Sequence, residues 1–302
     1  MAISRSQLLK ELLPGLNALF GLEYAKYGEE HKEIFESETS DRSFEEETKL
    51  SGFGAAGTKT EGAAIEYDTA QEAFTARYTH ETVAMGFSIT EEAIEDNLYD
   101  SLSGRYTKAL ARAMAYTKQV KAAAVLNNAF DTNHTYGDGV TLVNASHPLV
   151  SGGVNSNSGG DVDLNETSLE NAVIQIGKWT DERGLKIAAR PKKMIIPSDL
   201  QFVATRLLET EGRVGTADND LNAIKTNGVV PGGYTINHYL TDPNAFFLTT
   251  DIPNGMKHFT RAKMTTGMDA DFDTGNSRYK ARERYSFGVS DPLGIFGCSG
   301  SS

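Results

Sequence analysis

The apolar positions of this chain fall into stretches with a helical period and stretches that alternate. Near the start, Leu8, Leu12, Leu16 and Leu19/Phe20 recur at helical spacing. Pro14 interrupts them, which predicts short amphipathic helices on either side of it. The next stretch, EEHKEIFESETSDRSFEEETKL, is polar and strongly acidic, with Phe35 and Phe44 as isolated aromatics. It cannot build a core of its own. It is either a disordered tail or an arm that orders against neighbouring subunits through those aromatics.

Alternation begins after a glycine-punctuated run at Gly52, Gly54, Gly57 and Gly62. Phe74, Ala76 and Tyr78 share one parity, whereas Val83, Met85, Phe87 and Ile89 share the other. The switch predicts a bulge or sharp twist within one long strand. With Ile65 and Tyr67 opposite, the segment reads as an extended two-stranded hairpin. A ribbon of that kind is marginal alone and needs a surface to lie on.

The clearest helix follows. Ser88 and Glu91 form a capping box, and Ile94, Leu98, Leu102, Tyr106, Leu110 and Met114 make a stripe that continues through Val120 and Ala124. Acidic residues crowd its start, while Arg105, Lys108, Arg112, Lys118 and Lys121 occupy its second half, as the macrodipole favours. The pattern predicts a strut over 88–130, about 60 Å long if unbroken, with Gly104 as a point of kinking. Residues 151–168 are a Gly/Ser/Asn loop. A second helix, SLENAVIQIGKWTDERG, is capped by Ser168 and stopped by Gly184. KKMII is a short buried strand leading to a third helix, SDLQFVATRLLET. After about residue 212 the pattern is mostly alternating, which makes the class α+β.

Composition narrows the function. A length of 302 residues allows one large or two ordinary domains, and no apolar run reaches the length that crosses a bilayer as a helix. Cys298 is the only cysteine, so no intrachain disulfide and no cysteine-based zinc site can form. A formal charge of −12 argues against a dedicated nucleic-acid binder.

Chemical motifs are sparse. Asp269, Asp271 and Asp273 have the D-x-D-x-D spacing of a calcium loop but lack its later glycine and glutamate, and they sit in β context. None of the six histidines has a partner at HxH or HxxxH spacing. His134, Asp138 and His147 form the best available trio for a metal-dependent enzyme. A structural loop with a turn at Asp138-Gly139 accounts for the same residues.

Taken in order, several segments resemble the major capsid proteins of tailed bacteriophages, which share the Johnson fold. PGLNALFGLEYAKYGEEHKEIFE and SDRSFEEETKLSGFG resemble the family's N-arm and the approach to its E-loop. GFSITEEAIEDNLY resembles the start of its spine helix. DGVTLVNASHPL, NETSLENAV and DERGLKIAARPKKMIIPSDL resemble the P-domain and the crossing into the A-domain, and TDPNAFFL and YSFGVSDPLGIFGCSG the later strands.

The resemblance implies an N-terminal arm at 1–49, an E-loop at 50–87, a spine helix at 88–130 and a P-domain at 131–190. An A-domain follows at 191–290, with a C-terminal return to the P-domain at 291–302. It implies a shell protein without enzymatic activity or cofactor that assembles with itself into pentamers and hexamers around double-stranded DNA. A separate scaffolding protein, a portal and a decoration protein are the further expected partners; no membrane is involved. The virion is the expected location, with assembly in the bacterial cytoplasm. Phe35, Phe44, Phe53, Lys59, Tyr67, Phe74 and Tyr78 are the candidate inter-subunit residues, and Arg105, Lys108 and Arg112 the candidate lumen-facing cations. An encapsulin-type compartment is the alternative within the fold.

Overall fold

The computed structural model describes residues 5–90, 92, 99–212, 220–271 and 275–301. Helix α1 (Arg5–Lys26) runs continuously through Pro14. The expected break is absent because Leu16 and Phe20 bury their side chains against a second helix, and such packing outweighs the lost backbone bond, about 3 kcal/mol. Strands β1 (Glu36–Thr39), β2 (Phe44–Leu50), β3 (Glu72–Thr79) and β4 (Glu81–Ile89) follow. The acidic stretch is therefore ordered. Its carboxylates have partners: Glu30 meets His238 at 2.7 Å, and Glu33 meets Lys193.

Helix α2 (Tyr99–Asn127) is the expected strut, roughly 43 Å at 1.5 Å per residue. Ser88 and Ile89 belong to β4, where they pair with Arg278 and Ser277, so the helix does not begin at Ser88. Glu91, Ile94 and Leu98 lie outside the described residues. Short strands β5 (His147–Pro148) and β6 (Val154–Asn155) lead to α3 (Glu166–Gly177). Its capping box is Asn165 with Ser168, three residues earlier than the sequence pattern places the cap. Then come β7 (Pro191–Ile196), α4 (Gln201–Leu208), α5 (Ala223–Thr226), β8 (Tyr234–Ile236) and β9 (Phe246–Thr250). A long hairpin, β10 (Met256–Ala270) and β11 (Ser277–Val289), and β12 (Ile295–Cys298) complete the order.

Two four-stranded sheets result. The first has the order β1-β10-β11-β4, parallel at β1/β10 and otherwise antiparallel. One of its faces carries α1 and α2, with Leu16, Phe20, Leu110, Ala111 and Met114 packed on Tyr279 and Ala281. The second has the order β12-β9-β7-β8 and buries both faces. Met194, Ile196, Phe246 and Leu248 face the α3 side, while Ile195 and Phe247 face a core shared with the end of α2 at Ala122 and Leu126. Helix α2 thus roots one half in each core. The span 191–290, expected as one domain, divides between the two sheets.

At the C-terminal end of α2, Gln119 bonds the backbone N–H of His31 (3.1 Å) and its ring Nδ1 (3.0 Å). His258, on β10, lies edge-to-face with His31 at 5.1 Å and stacks on Phe287 at 4.5 Å. Burial, with Lys118 nearby, pushes His31 down to about 4 and His258 down to about 3. Both are therefore neutral in the fold at pH 7, and the unfolded chain takes up these protons first as pH falls. Stability should be full above pH 6.5 and decline from there towards pH 4, by up to about 1.4 kcal/mol per pH unit for each histidine. Urea melts between pH 7.5 and 4.5 should show a shallower decline for His258→Phe than for the wild type; equal slopes would remove this pair as the source.

Candidate functional site

The distinctive feature of this molecule is the ribbon of β2 and β3 and the loop at its tip. The two strands pair from Phe44 opposite Thr79 to Leu50 opposite Glu72. The partner of β3 is thus β2, not the segment around Ile65 and Tyr67. The parity switch in the sequence marks a change of sheet. At His80 the chain leaves the ribbon and enters the first sheet as β4, and the buried His80 ring bonds Ser286 (3.0 Å) and Ser40 (2.9 Å).

The ribbon base is clamped onto the face of the first sheet opposite the helices. Lys257, buried on β10, meets Glu38 at 3.0 Å and also Glu47. Burial alone lowers its pKa, but the two carboxylates more than reverse this and hold it above the usual lysine value. Glu47 also accepts from Ser290, whose hydroxyl contacts Tyr78. Tyr78 lies over Gly288, where a Cβ would come within 2.7 Å of its ring, so only glycine fits beneath it. Farther along, Lys49 bridges Glu182 (3.1 Å) and Asp291 (2.9 Å).

Beyond Leu50 the chain forms a loop, 51–71, without regular secondary structure. Ser51 closes the loop by backbone bonding to Gln71 at 2.8 Å. Asp68 accepts from the amides of Gly54 and Thr69, which with the Arg183 guanidinium hold its carboxyl below the usual range. Arg183 reaches both Asp68 oxygens at 2.9 Å. Phe53, Ile65 and Tyr67 remain 62, 66 and 94% exposed, three large apolar side chains on one loop, and such groupings mark interaction sites where isolated ones do not.

The seven candidate contact residues therefore separate. Phe53, Lys59 and Tyr67 are exposed on the loop. Phe44 sits at the exposed ribbon edge under the Arg77 guanidinium at 4.1 Å, and Phe74 packs on Gly137. Phe35 and Tyr78, at 4% and 3% exposure, lie in the chain's own cores and offer a neighbour nothing. Arg105, Lys108 and Arg112 are exposed along α2. The clamp at Lys257, Glu47 and Lys49 escaped the sequence reading. Its only trace is a lysine sharing strand parity with Phe259, a position that demands a partner once both sheet faces are covered.

The trio His134, Asp138 and His147 does not converge. His134 bonds Asp131 at 2.9 Å in an exposed turn. The side chains of His147 and Asp138 are buried, with Nδ1 donating to the carboxylate at 2.5 Å. The other ring nitrogen meets Asn157 Oδ1 at 2.9 Å. Asn157 Nδ2 donates to the carbonyls of Leu142, Pro292 and Ile295, which pins the post-helix loop to the C-terminal strand. Among the described residues no cluster of three or more histidine, cysteine or acidic side chains can hold a metal ion. Of the aspartates, Asp271 pairs with Arg278 at 2.6 Å, and Asp273 lies outside the described residues.

The family of phage capsid proteins matches residues 72–297. This chain belongs to that family. Solved structures agree across nearly all its length. The virus-like particle of Pyrococcus furiosus superposes with a TM-score of 0.52 at 11% identity, covering 95% of this chain and 99% of that one. The capsid of Myoviridae phage XM1 gives 0.56 at 12% identity, covering 88% and 89%. An empty GTA particle capsid gives 0.56 at 14% identity, covering 90% and 89%. At such identities the likeness shows the fold alone, which is the Johnson fold. No curated protein sequence matches. The protein is a structural subunit of a phage capsid shell.

Asn157→Ala in this capsid protein strips partners from three carbonyls and from His147, so it should cost about 2–5 kcal/mol in urea unfolding. A loss under about 1 kcal/mol would mean that the network carries little of the fold.

Proposed function

We propose that this chain is the major head protein of a tailed phage and forms pentamers and hexamers that close into an icosahedral shell around double-stranded DNA. The observation that carries this is the exposed loop 51–71 on a clamped ribbon. A lone subunit gains nothing from holding Phe53, Ile65 and Tyr67 in water, whereas a neighbouring subunit can bury them. The ribbon then acts as the E-loop and α2 as the spine, set in a P-domain built on the first sheet. The unit around β7, β8, α4 and α5 acts as the A-domain near the capsomer axis. Exposed Phe202 and Leu221 on that unit suit such a contact. A separate scaffold, a portal and a decoration protein complete the head, and the assembled protein resides in the virion after assembly in the host cytoplasm.

Shells, or rings of five and six subunits, are expected by negative-stain electron microscopy when the chain is expressed alone or with its scaffold. Tyr67→Ser combined with Phe53→Ser should abolish them while changing subunit stability by less than about 0.5 kcal/mol, as expected of exposed positions. Normal shells from that variant would count against the loop as the inter-subunit contact.

A further inference from the structure

The face of the first sheet opposite the helices is only half covered. Its lower half, at Lys257, Phe259, Ser286 and Gly288, lies under the chain's own ribbon. Its upper half is bare. There, Arg278, Lys280 and Arg282 project exposed at alternate positions of β11, and half-buried Arg284 continues the row to the ribbon's edge, four cations over about 20 Å. Pairing places small residues beside them: Ser88, Gly86, Ala84 and Thr82 on β4, and Gly267 and Thr265 on β10. Asp269 stands opposite Arg278, which also pairs with Asp271. Among the described residues no carboxylate forms an ion pair with Lys280, Arg282 or Arg284, and Arg284 Nε is buried without a hydrogen-bond partner. A shallow trough floored by small residues and lined by cations fits an acidic extended segment.

We propose that this row is the seat for residues 51–72 of a second copy of the chain. The inference rests on the reading that the loop reaches a neighbouring subunit, and it names the surface that receives it. Charge complementarity supports it: residues 51–72 carry Glu61, Glu66, Asp68 and Glu72 against Lys59 alone. The chain already does the same within itself on the adjoining half of the face, where Glu47 of the ribbon meets Lys257. Tyr67 suits the seat as well, since arginine stacks on aromatic rings and Arg77 does so with Phe44 in this ribbon. The chain's own loop is held elsewhere, at Arg183. Arg105, Lys108 and Arg112 lie on α2, across the sheet from this row, so the two basic surfaces face opposite ways.

The test is a charge swap in the full chain, read as shell yield by sedimentation and electron microscopy. Lys280→Glu/Arg282→Glu and Glu61→Arg/Glu66→Arg should each lower the yield about tenfold or more, and the combined variant should recover to within about threefold of wild type. Circular dichroism and subunit melting check folding. Lys280→Gln/Arg282→Gln, expected to show a milder loss, replaces the reversal if that variant does not fold. Failure of the combined variant to recover would overturn the pairing. Normal shells from the row variants beside failed shells from the loop variants would overturn the seat while leaving the loop's role intact. Normal shells from both would sink the loop reading too. Normal shells from the row variants that retain less packaged DNA would give the face to nucleic acid instead.

Discussion

Lys257 is the residue on which the rest of this subunit turns. It sits on a strand whose other face is core, and it joins two acidic segments from the N-terminal region, Glu38 of β1 and Glu47 of β2. Backbone pairing of β1 and the burial of Ile34 and Phe35 bring the acidic arm to the sheet, and the buried cation gives its carboxylates a partner there. Without its carboxylates, the lysine would be an uncompensated buried charge, a penalty on the order of 3–5 kcal/mol. That mutual dependence turns a polar stretch, unable to form a core, into the fixed base of a long ribbon.

The second constraint is the strut. Helix α2 enters two separate cores, one with α1 and the β10–β11 hairpin, the other with the second sheet. A rigid rod rooted at both ends fixes how the two sheets stand, so the ribbon's base has a defined direction. In the proposed shell, neighbour contacts concentrate at the loop beyond Leu50, which carries no regular secondary structure. A shell that places one sequence in non-identical surroundings needs that division between a rigid body and an adaptable tip.

How much of this was legible in the sequence depended on whether a signal was local. The strut, the buried strand at 191–196 and the alternation of the last third were plain because periodicity reports burial directly. The two parities around Tyr78 and Val83 were also visible, but they hid a change of sheet, since a bulge and a crossover leave the same trace. The arm's order was illegible because its partners are distant in sequence, among them β10, His238 and Lys257, the last more than 200 residues from Glu47. Pro14 misled for a related reason: helix propensity lost to tertiary packing. Asp138 and His147 stood out only as part of a trio with His134, which the structure separates; the role of the remaining pair lies in Asn157 and the C-terminal carbonyls, which no spacing announces.

The central claim is a ribbon base clamped to the sheet that carries a loop tied to the body through Arg183 but with few backbone bonds of its own, and amide hydrogen exchange on the unassembled subunit tests it most directly. The account predicts that the paired amides of 44–50 and 72–79 exchange as slowly as those of the β10–β11 hairpin, while 52–70 exchanges orders of magnitude faster. Lys257→Met should bring the base towards the tip's rate and leave the second sheet unchanged. A base that exchanges as fast as its tip in the wild-type subunit would contradict the account.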